Sequence, residues 1–225
     1  MDRPRVTVHN TVSLDGRVTG FPVDLGLHYE IAGSVPHDAV LTGSGTLLAA
    51  ARAEGVDLSG EDPDERVPEA AADNARPWLV VVDSRGLLTR LAWLRGQPYW
   101  RDVLVLCSQA TPVDHVDRLR RHRVEHMVVG NDRVDLPAAL GALADRYHVT
   151  AVRVDAGGAL NGQLLAAGLV DEIDLIVAPH LAGAGEAGSV HLVDGVAGPR
   201  GHLTLVEVRQ LRDSHLRLRY TVARP

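Results

Sequence analysis

Residues 149–178 read VTAVRVDAGGALNGQLLAAGLVDEIDLIVA, and their pattern decides the architecture. Residues 149–155 are an apolar run of strand length that closes on Asp155. Residues 158–167 read as a helix and 173–178 as a second strand. The same alternation continues outward. Residues 38–42, 78–82, 103–107 and 126–130 are short apolar runs expected as buried strands, and 113–121 and 135–147 are expected helices. Asp135 is placed as N-cap of the latter, with Pro137 in its first turn. At the start of the chain, residues 5–12 (RVTVHNTV) alternate, with Val6, Val8, Asn10 and Val12 on one face. Residues 13–26 are expected as a loop. Strands alternating with helices argue an α/β fold around a largely parallel sheet. Residues 203–208 and 216–222 add a C-terminal antiparallel pair.

Composition narrows the function classes. Hydrophobic residues make up 45% and charged residues 23% of 225, so a core can form without disulfides or metals. The apolar runs are far shorter than a membrane span. The net charge of −6 gives no general attraction to nucleic acid or anionic lipid. Met1-Asp2-Arg3-Pro4 has no signal-peptide character, and Cys107 has no second cysteine to pair with, so a cytoplasmic protein is expected. All 23 basic residues are arginine. A lysine Schiff base and a P-loop lysine are therefore excluded. One domain spanning 1–225 is expected. Residues 55–76 stand apart as an acidic excursion rich in Pro and Ala, with little to bury, and are expected to be flexible.

Ligands of open α/β sheets sit beyond the carboxyl ends of strands, and three turns are suited to that task. Thr42-Gly43-Ser44-Gly45-Thr46 offers backbone N–H groups at a helix start, although Leu48 breaks a complete dinucleotide fingerprint. In Asp83-Ser84-Arg85-Gly86, a hydroxyl and a guanidinium stand together as a 2′-phosphate would need. Asp155-Ala156-Gly157-Gly158-Ala159-Leu160-Asn161 combines paired glycines, which let a pyrophosphate approach, with a carboxylate that needs another task. Ser13-Leu14-Asp15-Gly16 reads first as hairpin chemistry, with Asp15 a turn residue. No HExxH or GxSxG motif occurs, His122 and His126 straddle a helix end and a strand, and Cys107 lies within a strand. Metal and serine-hydrolase readings therefore find no support, and no metal is expected.

Four segments, in order, carry a resemblance: NTVSLDGR at 10–17, DAVLTGSGTL at 38–47, VVDS at 81–84, and the run from Val154 to Pro179 with its GGALN and GLVDEIDL. They resemble the reductase domain of riboflavin biosynthesis, the C-terminal domain of the bifunctional deaminase-reductase RibD. The resemblance implies a dihydrofolate-reductase-like fold, a mixed central sheet flanked by helices, with a C-terminal antiparallel hairpin. It also implies NADPH as hydride donor, a homodimer, and a small pyrimidine or related heterocycle as substrate. The reaction would deliver hydride to ribose C1′ of a phosphoribosylamino-pyrimidine. On the same ground Asn10, Gly43, Thr46, Ser84, Arg85 and the stretch Gly157, Gly158, Ala159, Leu160 and Asn161 would bind the cofactor. Asp155 falls at an acidic substrate-binding position, usually Glu, and Asp15 would shape the active-site floor. Asp155 is the first candidate to orient proton chemistry and Asp15 the second. Two positions depart from the family. Ser34 stands where an arginine for the substrate phosphate is usual, and Ala50, followed by Ala51, stands where an aspartate is usual. Arg17 and Arg52 are the candidate replacements, and a substrate other than the riboflavin precursor is expected. Two other readings remain open: a Rossmann dehydrogenase with Asp83 on the ribose, and a nucleotide-binding member without turnover.

Overall fold

The computed structural model describes residues 3–60, 65–70, 75–183, 190–195 and 202–223. In chain order they form β1 (Arg5–Val12), α1 (Leu25–Gly33), β2 (Ala39–Gly43), α2 (Ser44–Ala53), β3 (Trp78–Val82), α3 (Leu91–Arg95), β4 (Asp102–Cys107), α4 (Val113–Arg121), β5 (Glu125–Val128), α5 (Leu136–Tyr147), β6 (Ala151–Val154), α6 (Gly158–Ala166), β7 (Glu172–Val177), β8 (Leu203–Gln210) and β9 (Leu216–Val222). The class is α/β, as the alternation of apolar runs requires. The chain divides into two compact units, His37–Thr150 with Met1–Pro4, and Arg5–Pro36 with Ala151–Pro225. No described helix is long and apolar enough to cross a membrane.

In the first unit, β2, β3, β4 and β5 pair in parallel, with Ala39 opposite Trp78, Trp78 opposite Asp102 and Leu104 opposite Glu125. Alternation sends Val40, Leu79, Val81, Val103, Val105 and Cys107 into one core with Leu91 and Leu94 of α3 and Leu119 of α4. Leu41, Val80, Leu104 and Leu106 on the other face are buried too, as a parallel sheet demands. Asp135 caps α5 by accepting from Ala138 N at 3.0 Å. Asp38 accepts from both the amide and the hydroxyl of Thr150, at 2.7 and 2.6 Å, which joins the two ends of this unit.

The acidic excursion is anchored where it is described. Leu58 is wholly buried in the core, and Val56 and Val67 pack against it. The carbonyl of Leu58 accepts from Thr89 N at 2.9 Å. Glu65 accepts from Leu91 N and Ala92 N at 3.2 and 2.9 Å, closing the start of α3. Few apolar residues suffice here because these polar contacts satisfy the otherwise unpaired first amides of α3. The remainder of the expectation, residues 61–64 and 71–74, lies outside the described residues.

In the second unit, β1 pairs in parallel with both β6 and β7, Val8 standing opposite Val154 and Ile173. β9 then pairs antiparallel with β7, and β8 with β9 through an irregularity between Leu205 and Glu207. Val6, Val8, Val12, Val152 and Val154 make a buried apolar face. Their neighbours make a buried polar one: Thr7, His9, Thr11, Arg153, Glu172 and Asp174. Part of that face lies under α1, whose Leu27 and Ile31 pack with Ile176. Arg217 meets Asp174 with two hydrogen bonds, Nε at 2.8 Å and Nη2 at 2.6 Å. Burial pushes the Asp174 carboxyl up, but these bonds and His9 prevail and hold it at about 2.

An ion pair this buried costs most when half of it is removed. Arg217→Leu is expected to lower stability by about 3–5 kcal/mol, read from the urea midpoint. Arg120→Ala, which breaks an exposed pair with Asp117, should cost less than about 1 kcal/mol. Equal costs would contradict the pairing described.

Candidate active site

At the carboxyl end of β6 the chain passes through Asp155 and Ala156 to Gly157, which holds extended geometry as N-cap of α6. A side chain at Gly158 would collide with the Asp194 carboxylate and the His191 carbonyl. Asp194 N donates to Gly158 O at 3.0 Å. This glycine is therefore demanded by the protein's own loop. Asn161 is wholly buried. Its Nδ2 donates to Asn10 Oδ1 at 3.1 Å, Ala156 O at 3.2 Å and Leu192 O at 2.9 Å. Asn10 Nδ2 donates to Ala156 O at 3.0 Å. The two amides face inward and hold the turn in shape. Leu160 is buried as well, whereas Gly157 is half-buried and Ala159 exposed, so the turn presents those two outward.

Asp155 is partly open, its side chain 29% exposed. Its Oδ2 lies 3.3 Å from His28 Nε2, and His28 Nδ1 lies 3.0 Å from Thr11 Oγ1. The His9 ring stands 4.9 Å from that of His28. Burial raises the Asp155 pKa, but the His28 hydrogen bond and the positive surroundings of His28, Arg153 and His9 outweigh it and leave the carboxyl below its ordinary value. Sequence alone does not point to His28, Thr11 and His9: the loop expected through residue 26 hides the start of α1, and the polar row of β1 gains meaning only once α1 covers it. A signal exists: Asp24 accepts from Leu27 N at 2.9 Å as an N-cap, and Leu27, His28, Ile31 and Ala32 are buried at helical spacing. Gly26 in the first turn masks it.

Asp15 is a different carboxylate. It accepts from Ser13 Oγ at 2.7 Å, Ala182 N at 2.9 Å and Gly183 N at 2.8 Å. The Ser13 bond first, then the backbone bonds, bring its pKa to about 2. Its oxygens are taken up by a hydroxyl and two backbone amides, none of which exchanges a proton near neutral pH. Its geometry fits shaping the floor, and Asp155 alone keeps the features of the proton-handling candidate.

In the first unit, Gly43 holds extended geometry as N-cap of α2, ahead of Ser44, Gly45 and Thr46. Side chains added at Gly43 or Gly45 would meet nothing within 4 Å, so the protein's own packing does not require glycine at either place. Ser84 Oγ accepts from Val134 N at 3.1 Å and keeps its proton to donate. Arg85 is exposed. Asp83 is buried and accepts from Leu87 N and Leu88 N at 2.9 and 3.0 Å, which leaves it no ribose to hold and removes the Rossmann reading. Cys107 is buried, its thiol pushed up to about 12 by burial and then by Asp83. Of the substrate-side departures, Ser34 Oγ donates to Ile31 O at 2.6 Å, ending α1, whereas Ala50 is exposed and only its neighbour Ala51 is buried.

The model of the RibD C-terminal domain matches residues 4–215. A 2,5-diamino-6-ribosylamino-4(3H)-pyrimidinone 5′-phosphate reductase of Methanothermobacter thermautotrophicus is 31% identical over 213 residues, covering 86% of this chain and 85% of that one. Among solved structures, a pyrimidine reductase-like protein of Corynebacterium diphtheriae superposes with a TM-score of 0.70 at 20% identity, covering 99% of this chain and 93% of that one. RibD of Acinetobacter baumannii gives a TM-score of 0.70 at 24% identity over 98% of this chain, which spans 58% of that longer protein. The riboflavin biosynthesis reductase of Saccharomyces cerevisiae gives 0.66 at 17%, covering 98% and 90%. These structures establish a shared fold, with mixed strands and a C-terminal antiparallel pair.

Asp15 provides a test of the floor. Its folded pKa of about 2 lies below the ordinary 3.8, so its bonds stabilise the fold above pH ~4 and are lost as pH falls toward ~2. Asp15→Asn is expected to melt several degrees below wild type at pH 7, with the gap closing between pH ~4 and ~2. A gap independent of pH, followed by calorimetry, would contradict that anchoring role.

Proposed function

Because the chain belongs to the RibD C-terminal domain family, we propose that it is an NADPH-dependent reductase of a ribosylamino-pyrimidine or a close heterocyclic relative. The observation that carries this reading is the partly exposed Asp155 carboxylate, held by a buried histidine beside the Gly157 turn. The Methanothermobacter relative supplies the substrate class through its name.

The residues present fit the cofactor. Gly43 and Gly45 leave open space at the start of α2, where backbone N–H groups and the helix dipole favour phosphate. Thr46 would add a hydroxyl in the same turn. The Ser84 hydroxyl and the exposed Arg85 suit the 2′-phosphate that separates NADPH from NADH. Gly157 and Ala159 face outward from the second unit's turn. When bound, the dinucleotide supplies a hydride. The protein's share is positional and electrostatic. The Asp155 carboxylate stabilises positive charge developing where the ribosyl C1′–O bond opens and directs a proton to the departing ring oxygen. Asn10 and Asn161 hold that turn rigid from within.

Ser34 is committed to ending α1 and Ala50 carries no polar group, so the phosphate grip differs from the family pattern. Arg17, 3.7 Å from Asp15, and the exposed Arg52 are the replacements offered. A substrate with a differently placed phosphate follows from this. The protein is also proposed to act as a homodimer in the cytoplasm. β8 is a long edge strand with Leu203, Leu205, Val206 and Val208 exposed, the kind of edge that a second copy covers.

Fluorescence titration tests the cofactor. Wild type should bind NADPH more tightly than NADH. Gly43→Val should keep its melting temperature and weaken NADPH at least about tenfold, about 1.4 kcal/mol. Arg85→Ala should lose the preference for NADPH. Failure of wild type to bind either nucleotide overturns the reading. For assembly, Val208→Lys is expected to convert a dimer to a monomer in light scattering, and a wild-type monomer would refute the dimer.

A further inference from the structure

His28 has no assigned task, yet its position is specific. It is 7% exposed, on the inner face of α1. One ring nitrogen is engaged by Thr11 and the other by Asp155. Tyr29 meets the ring edge-on at 5.1 Å, and His9 stands 4.9 Å away. The charged and titratable groups around it are therefore His9 on β1, Arg153 and Asp155 at the end of β6, and Tyr29 on its own helix. Behind His9, Asp174 of β7 lies 3.5 Å from Nδ1, paired with Arg217 of β9.

We propose that His28 is a positioning residue that orients Asp155 and supplies, through that carboxylate, the proton the reduction consumes. This rests on the reading of Asp155 given above. The balance is simple. The C1′–O bond breaks with its electron pair going to the ring oxygen, which takes one proton. The hydride adds to C1′. One proton is thus taken up for each hydride transferred. Asp155 is held ionised by its surroundings, so at neutral pH it passes a proton on rather than storing one. His28 is the group in hydrogen-bonding reach that can store it. Thr11 fixes the ring by engaging Nδ1, which directs Nε2 at Asp155 Oδ2. The proton taken from His28 resides on Oδ2, and rotation of the carboxyl about its Cβ–Cγ bond brings that oxygen to the substrate; the 29% exposure of the Asp155 side chain gives the pair a route for reprotonation from water.

A buried histidine can also be merely a satisfied part of the packing, and the test separates the two. His28→Gln keeps an amide that donates to Asp155 but holds no exchangeable charge. Steady-state NADPH consumption is measured with 2,5-diamino-6-ribosylamino-4(3H)-pyrimidinone 5′-phosphate as probe, from pH 5 to 9. Under the proposal, wild-type kcat falls on the alkaline side. His28→Gln leaves KM within about twofold, lowers kcat about a hundredfold and flattens the alkaline limb. Thr11→Val lowers kcat in the same direction with KM kept. If wild type turns over and His28→Gln keeps both kcat and the limb, the proton role is wrong while the reductase reading stands. If wild type binds NADPH but consumes none with this probe, with its dephosphorylated form or with the corresponding ribosylamino-uracil, the reading of Asp155 fails and the His28 role falls with it. The variant's melting temperature, expected within a few degrees of wild type, shows that a lost kcat is not a lost fold.

Discussion

A fully buried carboxylate, Asp174, sits in the middle of the second unit's sheet, and much else in that unit follows from it. Left alone in so dry a place it would cost several kcal/mol. Arg217 answers it with two hydrogen bonds, and Arg217 arrives only because β9 runs antiparallel beside β7 in one register. A slip of one residue would turn Arg217 to the opposite face. The next rung repeats the device: Arg219 bonds Glu172 at 2.9 and 2.6 Å and Glu207 at 3.1 Å. The C-terminal hairpin is thus the charge partner of the parallel strands as well as their edge.

The same logic explains α1. A polar row on β1, Thr7, His9 and Thr11, is costly to bury unless a partner brings complementary groups. α1 brings His28 to Thr11, and the Ala32 carbonyl to Arg153 Nη1 at 3.0 Å. Burial lowers the Arg153 pKa, and the neighbouring Asp155 carboxylate, which favours the charged guanidinium, offsets only part of that. What looks like an ordinary helix on a sheet is therefore also the roof that sets the electrostatics at Asp155.

Much of the fold was legible because its signals are local. Apolar runs placed most strands, Asp135 and Pro137 marked the start of α5, and the Gly43 and Gly157 turns marked strand ends. The rest depends on partners far along the chain. α3 is closed by Glu65 rather than by a neighbouring cap. Leu58 anchors a segment whose composition suggests disorder. Asp155 stands out in the sequence because a carboxylate at a strand end beside paired glycines has few dull explanations. His28 was missed because its meaning depends on Asp155, 127 positions away. The value of individual glycines was equally hidden: Gly158 accommodates Asp194 and His191, whereas Gly43 and Gly45 accommodate nothing of the protein's own.

The two candidate aspartates show how far residue type falls short of role. Both carboxyls are pulled below their ordinary value, so acidity alone does not separate them. Their partners do. Asp15 is bound by a hydroxyl and two backbone amides, none of which can exchange a proton usefully near neutral pH, and its oxygens are spent on holding a loop. Asp155 is bound on one oxygen by an imidazole, the one side chain whose ordinary titration falls in that range. A strong acid becomes a relay when its neighbour can store the proton and remains an anchor when its neighbours cannot. On the reading proposed above, that distinction puts proton chemistry at Asp155 and architecture at Asp15.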